Sequence, residues 1–178
     1  LLVHQIPVLE QALTYHLQCW LITKDQRKQL FSPYQLVNYK GTWHLVGVSE
    51  GRLQAYPLSN ITLVELSQQT FTRDAYIQRQ IDTDPTLWRS GMIEVLLKAS
   101  AAIAINFQHR PLLPEQEIVK TLDDGALLLS SRVLDANQIL PVIKSWMPEL
   151  TVISPGFIHE QIVYDLRRLL ALMSHAPP

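Results

Sequence analysis

His44 is the side chain of this sequence best placed to do chemistry. It lies between Trp43 and Leu45 in Thr42 to Val48, a segment that reads as a strand. An imidazole there can donate to a phosphate or to a base edge, and its charge changes near neutral pH. The plainer reading is a hydrogen-bonded, partly buried strand histidine, and the sequence leaves both open. Gln54 and Asn60, six apart across Pro57-Leu58, are positioned to face the same side as His44. Trp43 and Leu45 fall on the opposite face and read as core. The run Lys24-Asp25-Gln26-Arg27-Lys28 reads as a solvated loop rather than a phosphate clamp, and Arg167-Arg168 as a salt-bridging or dimer-rim pair.

Catalytic machinery is not indicated. The sequence holds no Gly-x-Ser-x-Gly elbow, no Gly-rich phosphate loop and no His-Glu-x-x-His pair; after His159-Glu160, Val163 stands where a second histidine would be needed. Asp123-Asp124 are adjacent carboxylates in a tight turn, which points them to solvent. The single cysteine, Cys19, rules out an internal disulfide framework and a Cys-based zinc cluster, and its setting among Leu17 and Leu21 reads as core. No enzyme activity, cofactor or metal is expected.

Composition narrows the classes further. Hydrophobic residues make up 47% and charged residues 17% of 178, enough for packed cores and too little charge for disorder. Fifteen basic side chains stand against sixteen acidic ones, a balance unlike that of a chain that grips duplex DNA by charge alone. No segment approaches the ~20 apolar residues that cross a bilayer, and no signal-peptide pattern opens the chain. A cytoplasmic protein, free of the membrane, is the expectation.

The elements that must hold these residues begin with a helix whose Val8, Leu9, Ala12, Leu13, His16 and Leu17 recur behind Pro7. Strands follow at Gln35 to Tyr39 and Thr42 to Val48, joined by Lys40-Gly41 as a tight turn, then at Arg52 to Leu58 and Asn60 to Leu66. A helix with four or five short strands suits a small β-barrel over 1–70. Residues 71–91 read as a polar connector with one short helix from Arg73 to Gln80. The second unit, 92–178, shows a strand at Ile93 to Ala99 and a helix at Ser100 to Phe107 with Ser100 as N-cap. A hairpin around Asp123-Asp124-Gly125 comes next, then a helix near Asn137 to Trp146 that tolerates Pro141 only in its first turn. The strand Thr151 to Ser154 and a helix from Phe157 to Met173 close the chain, the helix carrying one apolar stripe of Ile158, Ile162, Leu166, Leu169, Leu170 and Met173. The order β-α-β-β-α-β-α suggests a ferredoxin-like sandwich. The fold class expected is α+β, a small barrel followed by that sandwich.

The stretch Ser32-Pro33-Tyr34-Gln35-Leu36-Val37-Asn38-Tyr39-Lys40-Gly41-Thr42-Trp43-His44-Leu45-Val46-Gly47 resembles the hairpin of the WYL domain family, named for its Trp-Tyr-Leu triplet. Leu53 to Ile61 is similar to that family's second block, and residues 92–174 resemble the C-terminal (WCX) extension that often follows. The resemblance implies an SH3-like or Sm-like barrel that binds a nucleotide or single-stranded nucleic-acid effector. It also implies an extension that helps to build a homodimer, and a helix-turn-helix domain upstream through which DNA is bound. The chain opens on Leu1 rather than Met, which points to a segment upstream. By the same resemblance the ligand wall comprises His44, Gln54, Asn60, Thr23 and Gln29. His44 stands in for the central Tyr, while Gln54, Asn60 and Gln29 replace three arginines, so the bidentate contacts that hold phosphates are gone. The function expected is therefore effector sensing and dimerisation within a bacterial regulator. The alternative is a degenerate WYL unit that keeps only dimerisation or partner binding.

Overall fold

The computed structural model describes residues 3–175, which divide between Ile93 and Glu94 into two compact units. In the first unit, α1 (Ile6–Tyr15) starts with proline in its first turn and stops where His16 takes a left-handed conformation. Five strands follow: β1 (Leu17–Thr23), β2 (Lys28–Tyr39), β3 (Thr42–Ser49), β4 (Arg52–Pro57) and β5 (Ile61–Thr70), in spatial order β4-β3-β2-β1-β5. The long strand β2 belongs to both halves of the sheet. Its residues 28–31 pair with β1, and 32–39 pair with β3, with a bulge at Tyr34. The bulge bends β2 and carries the sheet over a core of Leu9, Cys19, Leu21, Phe31, Leu45, Ile61 and Val64. Burial pushes the Cys19 thiol up to about 12, as suits an inert core residue.

The α+β class is as expected, but no closed barrel forms: β4 and β5 are the two ends of an open sheet. The chain leaves β4 at Pro57, which has no N–H to extend a ladder, and a turn at Leu58–Asn60 delivers it to the far edge.

The segment read as a connector holds two helices, α2 (Ala75–Thr83) and α3 (Pro85–Ser90), which bury Ile77, Ile81, Leu87 and Trp88. Asp74 caps the first, accepting from the amides of Tyr76 (2.8 Å) and Ile77 (3.2 Å). Tyr34, freed by the bulge, accepts from the Asp74 amide at 3.0 Å, and Gln78 donates to Gln35 at 2.5 Å. Both bonds fasten α2 to β2.

The second unit runs β6 (Ile93–Ala99), α4 (Ala104–His109), β7 (Glu117–Thr121), β8 (Leu127–Val133), α5 (Leu140–Ser145), β9 (Leu150–Ser154) and α6 (Gly156–Ser174). Its sheet order, β7-β8-β6-β9, fits the expected β-α-β-β-α-β sandwich. The hairpin turns at Gly125, with the Ala126 amide donating to Asp124 at 3.0 Å. Pro141 does fall in the first turn of α5. The helix expected from Ser100 starts at Ala104 instead, because the Ser100 hydroxyl donates to the Glu149 carboxylate rather than capping. Along α6 the apolar stripe is buried only at Ile158 and Ile162; Leu166, Leu169, Leu170 and Met173 are exposed. No described helix is long and apolar enough to cross a membrane.

Candidate functional site

The β2–β3 hairpin turns through Lys40 (φ 49°) and Gly41 (φ 82°), both left-handed as a two-residue turn requires, and Asn38 accepts from the Gly41 amide at 3.1 Å. His44 lies opposite Val37 on one side and Pro57 on the other. Its Nδ1 is 3.0 Å from the Thr42 carbonyl, and since a carbonyl only accepts, Nδ1 is the donor of that bond. The imidazole is half-buried. The indole of Trp88 packs against it with ring centres 5.6 Å apart and also meets Tyr39 edge-on at 5.8 Å. Arg89 places its guanidinium 4.6 Å from the centre of the Tyr39 ring and donates to the Tyr39 hydroxyl at 3.0 Å. His44 is thus roofed by α3.

Trp43 corrects the reading that placed it in the core. It is 51% exposed, while Leu45 is fully buried. Trp43 pairs with Asn38 near the hairpin tip, beyond the reach of the core, so strand alternation alone could not bury it.

Gln54 lies opposite Gly47, an odd-numbered position of β3, so it faces away from His44 and not to the same side. Its carbonyl oxygen accepts from the Tyr56 hydroxyl, and its amide nitrogen donates to the Ser49 carbonyl at 3.4 Å. Tyr56 in turn packs edge-on against core Phe31 at 5.9 Å. Gln29 pairs with Leu21 and, like it, turns into the core side of the sheet. It is 3% exposed, and neither amide atom has a hydrogen-bond partner among the described residues. Thr23, also buried, donates its hydroxyl to the Asp25 carboxylate. Asn60 ends the turn between β4 and β5, where its carbonyl accepts from the Lys24 amide at 3.0 Å. Thr23, Gln29 and Gln54 therefore share the inner wall of the curled sheet, and His44 stands across it.

The charges near this wall are turned outward. Arg27 pairs with Glu50 at 3.5 Å and Lys28 with Glu65 at 3.6 Å, all four side chains more than half exposed, while the Lys28 ammonium lies 5.2 Å from the centre of the Trp20 ring. The Thr23 hydroxyl holds the Asp25 carboxyl below the usual carboxylate range, so a negative charge stands at the β1–β2 turn. Lys24 to Arg27 form an exposed turn, and Lys28, also exposed, opens β2.

Sequence reasoning missed Trp88 and Arg89, although Asp84-Pro85 carried the signal of an N-cap followed by proline in the first helical position. Asp84 accepts from the Thr86 amide at 3.0 Å, and Gly91 ends the helix at φ 74°.

The family model of the WCX domain matches residues 92–170. The second unit is similar to a WCX domain over that stretch. The match takes in nearly all of the second unit, and the expected kinship with the WYL/WCX family is borne out there. Among solved structures the chain is similar to proteasome accessory factor B/C of Arthrobacter aurescens, with 15% identity over 90% of this chain and 26% of that one, at a TM-score of 0.37. It is also similar to a protein described as CRISPR Cas-related, with 13% identity over 96% of this chain and 51% of that one, at a TM-score of 0.35. Both scores fall below 0.5, so the family rests on the WCX match. The chain spans about a quarter and about half of those two proteins. No curated protein matches it.

Proposed function

We propose that this chain is the effector-sensing and dimerising portion of a bacterial transcription regulator, with DNA contacted by a domain outside residues 1–178. The WCX match behind a WYL-like hairpin is the observation that carries this reading. The first unit takes a nucleotide or a single-stranded nucleic-acid segment on its polar inner wall, and the WCX domain pairs two copies. Supporting the pairing, Leu166, Leu169, Leu170 and Met173 recur at helical seam spacing on α6 and are 44–66% exposed.

Sedimentation of the intact chain tests the pairing: it runs as a dimer. The double variant Leu166→Glu, Leu170→Glu runs as a monomer at the same concentration. Withdrawing four leucines at roughly 1.5 kcal/mol each weakens the dimer by well over a hundredfold. Because both positions are exposed, each monomer loses no more than about 0.5 kcal/mol of stability. A variant with unchanged mass and shape would remove α6 from the interface. For sensing, calorimetric titration with mononucleotides, cyclic nucleotides and short single-stranded DNA gives saturable binding tighter than about millimolar, some −4 kcal/mol.

Two observations favour the second reading, a unit kept for dimerisation or partner binding alone. Trp88 covers His44, and Gln54 is already bonded to Tyr56. Titrations in which no probe binds would select it.

A further inference from the structure

Strand β7 closes one end of the second sheet. In the order β7-β8-β6-β9 one side of its backbone has no neighbouring strand, so N–H and C=O groups there are free to pair. All five of its residues are exposed, Ile118 by 47% and Val119 by 53%. A bulge at Val119 puts these two apolar side chains together between Glu117 and Lys120.

A cleft of about 340 Å³ lies where α4 ends and β7 begins. Phe107, Pro111 and Ile118 supply its apolar lining. Ile118 pairs with buried Leu129 and so lies on the core face of the sheet, whereas Glu117, one position earlier, lies on the other. His109 and Arg110 also line the cleft, without an ion-pair or hydrogen-bond partner among the described residues, and none of the lining side chains is acidic. The loop between α4 and β7 is already fixed. The side-chain oxygen of Gln116 accepts from the amides of Leu112 (3.0 Å) and Leu113 (3.4 Å), and its Nε2 donates to the Phe107 carbonyl at 2.9 Å. A cation at a helix end offsets the dipole, which accounts for a charge there but not for a pre-formed apolar cleft beside it.

A free edge, an apolar recess at its start and an unpaired guanidinium are what capture of a chain end requires. The edge supplies the ladder, the recess takes a side chain, and the guanidinium takes a carboxylate. A strand added antiparallel to β7 ends beside Glu117 and Ile118, so its terminal carboxylate comes to Arg110. The side chain opposite Ile118 then points into the cleft. We propose that the second unit binds the C-terminus of a partner polypeptide along β7, one that ends in an apolar residue. This site is separate from the wall of the first unit and from the exposed face of α6, and it stands whether or not the sensing reading does.

The test is fluorescence anisotropy of labelled peptides Lys-Thr-Ser-Val-Thr-X, with X valine, leucine or phenylalanine, titrated with the intact chain. Each peptide is made with a free C-terminal carboxylate and as the carboxamide. At least one free acid binds saturably, and its carboxamide binds at least about tenfold more weakly, through loss of one charge-assisted bidentate contact. Arg110→Gln brings the acid down to the affinity of the carboxamide and leaves the carboxamide unchanged, while Arg110→Lys restores part of the difference. Ile118→Lys weakens both forms by at least about tenfold. Because both positions are exposed, each variant keeps the melting temperature of the parent. Binding by none of the three acids, equal affinity of acid and carboxamide, or a preference that survives Arg110→Gln would overturn the proposal. A dimer lost in the Ile118→Lys variant would overturn it too, because β7 would then be covered by a second copy of this chain.

Discussion

Valine at Gly47 destabilises the first unit by about 3 kcal/mol or more, seen as a loss of its cooperative unfolding transition in urea. An added Cβ lies far inside contact distance of the Ser32 carbonyl oxygen, and 2.7 and 2.9 Å from two ring carbons of Phe31. The first obstacle is backbone held in the β2–β3 ladder, and the second is a fully buried ring of the core, so neither can step aside. Close approach is the whole reason for glycine here: β3 crosses β2 just where β2 bends at the Tyr34 bulge. Gly41→Ala has a different cause and a smaller effect. Its Cβ meets open space, and only the left-handed φ of 82° is at stake, so the cost is about 1 kcal/mol. A Gly47→Val chain as stable as the parent would mean that the sheet is not folded over Phe31.

Removing the Trp88 indole costs about 3–5 kcal/mol, because a 2% exposed side chain leaves a cavity between α3 and the hairpin. Trp88→Ala therefore loosens α3 from Tyr39 and His44, and its unfolding midpoint in denaturant drops accordingly. Trp88→Phe separates packing from polarity. The indole Nε1 is buried without a partner among the described residues, so exchanging it for a smaller ring withdraws an unpaired donor while keeping most of the contact. Its net cost is under about 1.5 kcal/mol. Equal losses in both variants would show that the indole N–H, not the ring, holds α3 in place.

Much of the fold could be read from the chain because its local signals and its packing agree. Lys40, Gly41 and Gly125 take the left-handed backbone that their tight turns need, and Ile93, Val95, Leu97 and Ala99 alternate into the second core. The misreadings come from facts that alternation does not carry. Trp43 keeps strand phase with Leu45 but lies at the hairpin tip, where there is no core to enter. Counting residues aligns Gln54 with His44, yet the β3–β4 register pairs it with Gly47 and turns it inward. The α2–α3 segment looked like linker because its polar face dominates, although four apolar side chains, Ile77, Ile81, Leu87 and Trp88, are buried beneath. Of the five residues that the resemblance implies for a ligand wall, Thr23, Gln29 and Gln54 face one side of the sheet and His44 the other. That the Gln29 amide is bare depends on what surrounds it in space, which no motif encodes.

In the proposed regulator, a ligand bound to the first unit is felt by the pairing of two chains. Sedimentation equilibrium of the intact chain, with and without the tightest-binding nucleotide or nucleoside at saturation, tests it most directly. The account predicts a dimer dissociation constant changed by at least about fivefold, or about 1 kcal/mol of coupling. The same constant in both samples, with the ligand shown to be bound, would contradict it.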